Sequence, residues 1–257
     1  MSENIVVSTF GQTRHIQMNR PERKNAISVA MYSAMADAVN EAAANPEVRS
    51  LLISGAGGSF SSGNDLQDFM NNPPRDPKAS PVAMFMEALL ACPKPLVAAV
   101  DGVAVGIGTT MLLHCDLVYA SDVSKFKMPF ASLGLCPEFG SSYLLPRMMG
   151  HQQAADLLLF GEVFAPEKAQ ACGFVNEVLR SEELMARAMS RCEDLNALPA
   201  SSLRATKQLM RGDLHEEVIS AMEKEKALFD LGLKSAEFSE AGTAFFEGRK
   251  PDFSKFN

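Results

Sequence analysis

The stretch that most constrains this chain is "PLVAAVDGVAVGIGTTMLL", from Pro95 to Leu113, the most apolar run in the sequence. An uninterrupted apolar run of that length could span a bilayer. Asp101, Gly102, Gly106 and Gly108 break it, so a buried strand, a turn and a helix are expected instead. The same design stands upstream, where "VRSLLISGAG" reads as a buried strand ending in a Gly- and Ser-rich loop. "PVAMFMEALLAC" lies between the two and reads as a helix. Apolar strands alternating with helices predict an α/β protein.

The flanking segments extend that pattern. "NIVVSTFGQTRHIQMN" predicts two short strands about Gly11. From Ser28 to Asn45 the chain is rich in Ala and Met, with Met31, Met35, Ala38 and Ala42 on one helical face, and Asn45-Pro46 stops the helix. "GIGTTMLLHCDLVYAS" predicts a helix running into a strand, and a short strand is expected at Phe174 to Val178 between helices. After about Ser181 four helical patterns follow with no strand between them. In the third, Val218, Met222 and Phe229 share a face while Glu216, Glu223 and Lys226 can meet water. The expected division is an α/β core over residues 1–195 and a helical region over 196–257. Its apolar stripes are to be covered by the core or by a partner subunit. "NNPPRDPKASP", Asn71 to Pro81, is the one long polar, Pro-rich loop, expected to be mobile and near a ligand entrance.

Several function classes are set aside by composition. At 257 residues and 47% hydrophobic, the chain can bury a large core. Its formal charge of -7 argues against nucleic acid, which needs a basic surface. Five Cys, without a CxxC pair or a CxxC…HxxxH spacing, signal neither zinc nor a disulfide framework, so reduced thiols and no metal are expected. "MSENIVVSTF" lacks a secretory pattern and the chain ends "SKFN" rather than in a peroxisomal "SKL", which points to the cytoplasm and to no membrane span.

Chemistry-bearing candidates are few. Gly63-Asn64-Asp65 and Gly106-Ile107-Gly108 each follow a strand and introduce a helical pattern. Backbone N–H groups at such turns can be aimed at one point as an oxyanion hole, or the turns can be plain scaffolding. Neither GxxxxGK[ST] nor GxGxxG is present, so a phosphate loop is not indicated. The four His show no pairing, and His114 reads as a core residue. Cys136 has no His placed to activate it, and Asp116 reads as a structural residue at a helix-to-strand boundary. Glu138, in "LGLCPEFGSSYLLP", is a lone acid among apolar neighbours. It can favour the positive end of a helix N-capped at Ser141, or serve as a general base whose pKa burial raises and the helix end lowers.

Taken together, "NRPERKNAIS", "FSSGNDL", "DGVAVGIG…CDLVYAS", "PFASLGLCPEFGSS" and "EGRKPDF", in this order, resemble the crotonase (enoyl-CoA hydratase/isomerase) superfamily over about Ile5 to Phe253. The resemblance implies a spiral of ββα units with a C-terminal helical trimerisation region. It implies acyl-CoA as substrate, stabilisation of a thioester enolate by the backbone N–H groups of Asn64 and Ile107, and assembly into a trimer or hexamer. No cofactor is implied, since coenzyme A is part of the substrate.

The departures from the hydratase pattern are informative. That branch uses two Glu, at the positions held here by Thr110 and by Phe130 in "MPF". Thr and Phe cannot hold and activate a water as two carboxylates do. The chain more closely resembles the Δ3,Δ2-enoyl-CoA isomerase branch, through Ser61 to Asp65, Pro129 to Gly134 and Glu138. The resemblance then implies that Glu138 is the base and acid of a double-bond shift in fatty-acid β-oxidation. Phe130, Leu133, Leu135 and Phe139 would form a dry wall. Arg23, Lys24, Ser62, Arg249 and Lys250 would contact the CoA moiety, with Arg249 and Lys250 able to act from a neighbouring subunit or merely to cap the helix ending at Gly248. Asp65 would hold its loop. Another crotonase-type enzyme (hydratase, thioesterase or ring-modifying isomerase) and a non-catalytic acyl-CoA-binding module are the alternatives.

Overall fold

A computed structural model of the chain describes residues 3–65, 67–68, 80–212 and 214–256. The Pro-rich loop that begins at Asn71 lies outside the described residues through position 79. Two compact units are resolved: Met1–Phe126 with Phe164–Gly212, and Lys127–Val163 with Asp213–Asn257.

The first unit is built on a six-stranded sheet whose spatial order follows the chain: Ile5–Phe10, Thr13–Met18, Ser50–Gly55, Leu96–Val100, Leu117–Ser121 and Glu177–Leu179. The first two strands pair antiparallel about the Gly11 turn and all later neighbours pair parallel. Leu52, Val97, Ala99 and Tyr119 pack against Leu184, Ala188 and Cys192 of the helix Ser181–Ala197. Alternate residues along a strand point to opposite faces. Leu51, Ile53, Ala98 and Val118 therefore face the other way, and they too are buried. This two-sided burial is why the strands read as continuous apolar runs. The helix Val29–Ala44 starts where Ser28 Oγ accepts from Met31 N and ends at Asn45. It packs on Pro81–Ala91, with Tyr32 and Phe85 rings 5.6 Å apart.

The last strand lies at Glu177–Leu179 rather than at Phe174 to Val178. Phe174 is drawn into an aromatic cluster instead, its ring 5.7 Å from Phe126 and 6.0 Å from Phe164. Asn176 then docks the chain beside the sheet, its Oδ1 accepting from Val118 N at 2.7 Å. The helix expected after Gly106 is brief: one α-helical turn, Ile107–Thr110, continues as 3₁₀ helix over Met111–His114.

Asp116 has the structural role expected of it. Its Oδ2 accepts from Leu96 N at 2.7 Å and from Lys207 Nζ at 2.6 Å. Lys207 is buried, and Nζ also donates to Lys94 O at 2.7 Å. Burial pushes the Lys207 ammonium pKa down, opposed by the Asp116 charge. Removing one member of such a pair leaves the other uncompensated. Lys207→Met is expected to cost about 3 kcal/mol in urea unfolding, and an unchanged midpoint would show that the pair contributes nothing net.

The second unit holds the helices Ser141–Met149, His151–Ala155, Leu214–Gly232 and Ala236–Glu247, with a π-helical turn at Asp156–Phe160. Close backbone approach is visible at Gly134, where an added Cβ would stand 2.9 Å from Phe238 N. No described helix is long and apolar enough to cross a membrane.

Candidate active site

In the first unit the two Gly-bearing loops are joined through their backbones. Ser61 and Ala104 form a parallel bridge, with Ser61 N donating to Val103 O and Val105 N donating to Ser61 O, both at 2.9 Å. Gly63 has φ 90°, and a Cβ there would stand 2.7 Å from Val105 O. A Cβ on Gly108 would stand 2.8 Å from Ser61 O. Glycine at both positions is therefore what lets the loops approach.

That contact fixes where two N–H groups point. Asn64 bridges Ile27, with Ile27 N donating to Gly63 O at 2.8 Å and Asp65 N donating to Ile27 O at 3.0 Å. In a parallel bridge one residue bonds both flanks of its partner, so the partner's own N–H points away. Ile107 is the first helical residue after Gly106, whose φ is 56°, and a helix has no internal acceptor for its first N–H. Among the described residues no acceptor takes the N–H of Asn64 or of Ile107.

The side chains around Asn64 hold the loop. Tyr32 Oη donates to Asn64 Oδ1 at 2.5 Å. Arg20 Nη1 donates to Asp65 Oδ2 at 2.7 Å, and Asp65 Oδ1 accepts from Asp68 N at 3.1 Å. Burial pushes the Asp65 carboxyl up, but Arg20 and the Asp68 and Gln67 N–H groups outweigh it and hold it below 3.8. Its stabilising contribution is therefore complete above that value and is lost as pH falls through the lower, folded-state pKa. Arg23 and Lys24 present exposed side chains. Their carbonyls are tied to the loop: Ser62 N donates to Lys24 O at 2.9 Å and Ser62 Oγ to Arg23 O at 3.2 Å. The linchpin of this segment is one the sequence reading passed over. Asn25 is buried with φ 54°, and Nδ2 donates to Ala56 O at 2.9 Å and Ser59 O at 2.6 Å. Its signal was a short polar residue between a basic run and an apolar one, a composition suited to the left-handed region.

In the second unit Phe130 is buried and opens the turn Ala131–Leu133, its carbonyl accepting from Leu133 N and Leu135 N. Leu133 and Glu138 are half-buried. Phe139 is buried at φ 57°, a left-handed conformation unusual for a bulky side chain, and Gly140 follows at φ 71°. The helix Ser141–Met149 is N-capped at Gly140, not at Ser141 as the sequence suggested. Glycine has no side chain with which to cap, and the carboxylate seated at the helix start belongs to Glu225. Gly140 N donates to Glu225 Oε2 at 2.7 Å and Ser142 N to Oε1 at 2.9 Å. Burial pushes the Glu225 carboxyl up, while the Ser142 and Gly140 donors pull it down less strongly. Burial and the Glu225 charge raise the Cys136 thiol, against a nucleophilic role.

Arg249 is engaged within its own unit. Its guanidinium grips Glu240 through Nη1 at 2.5 Å and Nη2 at 3.1 Å, and Nε donates to Glu247 at 2.6 Å. The Arg249 hydrogen bond holds the Glu240 carboxyl at about 2. Lys250 is exposed. Thr110 and Phe130 are both buried and bring no carboxylate. Among the described residues no group of three His, Cys, Asp or Glu is placed to hold a metal ion.

Comparison with known proteins agrees with this architecture. A sequence profile for the family described as Enoyl-CoA hydratase/isomerase matches residues 11–256, and the chain belongs to that family. It is 38% identical over 229 residues to enoyl-CoA delta isomerase 2 of Rattus norvegicus, covering 87% of this chain and 58% of the rat protein. The chain thus spans little more than half the length of that relative. It is 33% identical to the 1,2-epoxyphenylacetyl-CoA isomerase of Escherichia coli, covering 93% of this chain and 94% of that one. The crystal structure of an enoyl-CoA hydratase/isomerase from Pseudoalteromonas atlantica superposes with a TM-score of 0.94 at 39% identity, covering 98% of this chain and 100% of the other. The fold is that of the crotonases, an α/β core with a helical C-terminal region.

Proposed function

We propose that the chain is a Δ3,Δ2-enoyl-CoA isomerase, shifting the double bond of a 3-enoyl-CoA to give the 2-trans-enoyl-CoA during fatty-acid β-oxidation. The observation that carries this reading is the pair of backbone N–H groups at Asn64 and Ile107 on two loops locked together through Gly63 and Gly108. Such donors stabilise the negative charge that a thioester oxygen acquires as the C2 proton leaves. In the reading Glu138 takes that proton and returns it at C4, with no cofactor needed. Thr110 and Phe130, in place of two carboxylates, favour isomerisation over water addition. Phe130 and Leu133 serve as apolar lining. Arg23, Lys24, Ser62 and Lys250 are assigned to the CoA moiety, Asp65 to supporting its loop. Arg249 would have to leave Glu240 to join them.

Self-association through residues 196–257 is part of the proposal. Leu209, Met210, Leu231, Phe245 and Phe246 are all more than 60% exposed there, and large apolar side chains so displayed are characteristic of interaction surfaces. A cytoplasmic site of action goes with it. Product analysis tests the reaction: 3-enoyl-CoA should be converted to the conjugated 2-enoyl isomer, and 2-enoyl-CoA should take up water slowly or not at all. Rapid hydration of 2-enoyl-CoA would overturn the assignment in favour of a hydratase.

A further inference from the structure

Glu225 meets the Glu138 turn from both sides. Ahead of Glu138, Cys136 Sγ donates to Glu225 O at 3.3 Å. Beyond it, Gly140 N donates to Glu225 Oε2 at 2.7 Å, and Ser142 donates to Oε1 through N at 2.9 Å and Oγ at 2.5 Å. The carboxylate is 5% exposed, so its hydrogen bonds face little competition from water. Between these attachments Phe139 is held at φ 57°, a conformation that is unfavourable for a non-glycine residue and persists only where the surroundings enforce it. The helix bearing Glu225 also limits the turn sterically. A Cβ on Gly140 would stand 2.9 Å from Val218 Cγ1 and 3.7 Å from Met222 Cγ.

We propose that Glu225 is a positioning residue for the reaction: it clamps the arc from Cys136 to Ser142 and thereby sets the direction in which Glu138 presents its carboxyl group. The inference deepens the proposed function and rests on Glu138 being the acid–base group. Glu225→Gln keeps the size of the side chain but turns an amide N–H₂ toward donors that need an acceptor. A misplacement of about 1 Å in a reacting group can cost about 10²-fold, so kcat should fall about tenfold to hundredfold while KM stays within about twofold. Amide hydrogen exchange at Gly140 and Ser142 should quicken. Ser142→Ala, which removes one of the bonds and keeps the carboxylate, should lower kcat less and in the same direction.

The experiment is a double-mutant cycle with Glu138→Gln on a 3-enoyl-CoA. If Glu225 acts through Glu138, Glu225→Gln has little further effect once Glu138 is Gln. A Glu225→Gln enzyme with wild-type kcat, or one losing the same factor in both backgrounds, overturns the inference while leaving the base assignment in place. A Glu138→Gln enzyme with wild-type kcat sinks the base assignment and this inference with it.

Discussion

Glu138→Gln should sharply slow the exchange of solvent deuterium into C2 and C4 of a 3-enoyl-CoA. The amide matches the carboxylate in shape and cannot carry the proton. A positioned acid–base group contributes about 10²–10⁴-fold in rate, and here one group is assigned both transfers. Exchange at both carbons should therefore fall together by at least about 10²-fold. Binding of a saturated acyl-CoA should be unaffected, because the missing proton transfer plays no part in it. Loss at C4 alone would mean that a second group serves as base. Retained exchange at both positions would remove Glu138 from the chemistry and bring forward the acyl-CoA-binding module.

The second large effect concerns a main-chain donor. Proline is well suited to the first position of a helix, where its missing N–H would have no helical partner anyway. Ile107 occupies that position after Gly106. Ile107→Pro therefore deletes one assigned oxyanion donor with little cost to the local backbone. Loss of one such donor typically lowers kcat by about 10²–10³. Ile107 is 2% exposed, so its side chain also contributes packing. Ile107→Ala supplies the control, since it keeps the N–H and loses most of the same apolar contacts. If the two variants share the same kcat, the amide has no part in the reaction, whatever their stabilities.

Much of this architecture was legible in the sequence because it follows from burial. The strands at Ser50–Gly55 and Leu96–Val100 announce themselves by apolar runs, and the helix Val29–Ala44 by its period and by Ser28 and Asn45 at its ends. Both loops bearing Asn64 and Ile107 were found from glycine placed after a strand, and the structure shows the backbone approach that requires it. Long-range polar contacts were not legible. Nothing in "HEEVISAMEKEKALFDLG" distinguishes Glu225 from Glu223, yet one is buried on the Ser141–Met149 helix start and the other is exposed. Asn25 and Arg20 escaped for the same reason, since their partners lie far along the chain. The strand at Glu177–Leu179 starts three residues later than expected because Phe174 is apolar on account of an aromatic cluster, not a sheet.

The bond from Gly140 to Glu225 spans 85 residues, and the unit containing it is assembled from two stretches separated by Phe164–Gly212. As the polypeptide emerges from the ribosome, the core sheet can form while the Glu138 loop still lacks its anchor. That loop can be set only after the penultimate helix has been synthesised and has docked. Closing so long an interval costs chain entropy and makes this a late event in maturation. A nascent chain stopped before residue 225 would carry a formed sheet and an unset acid.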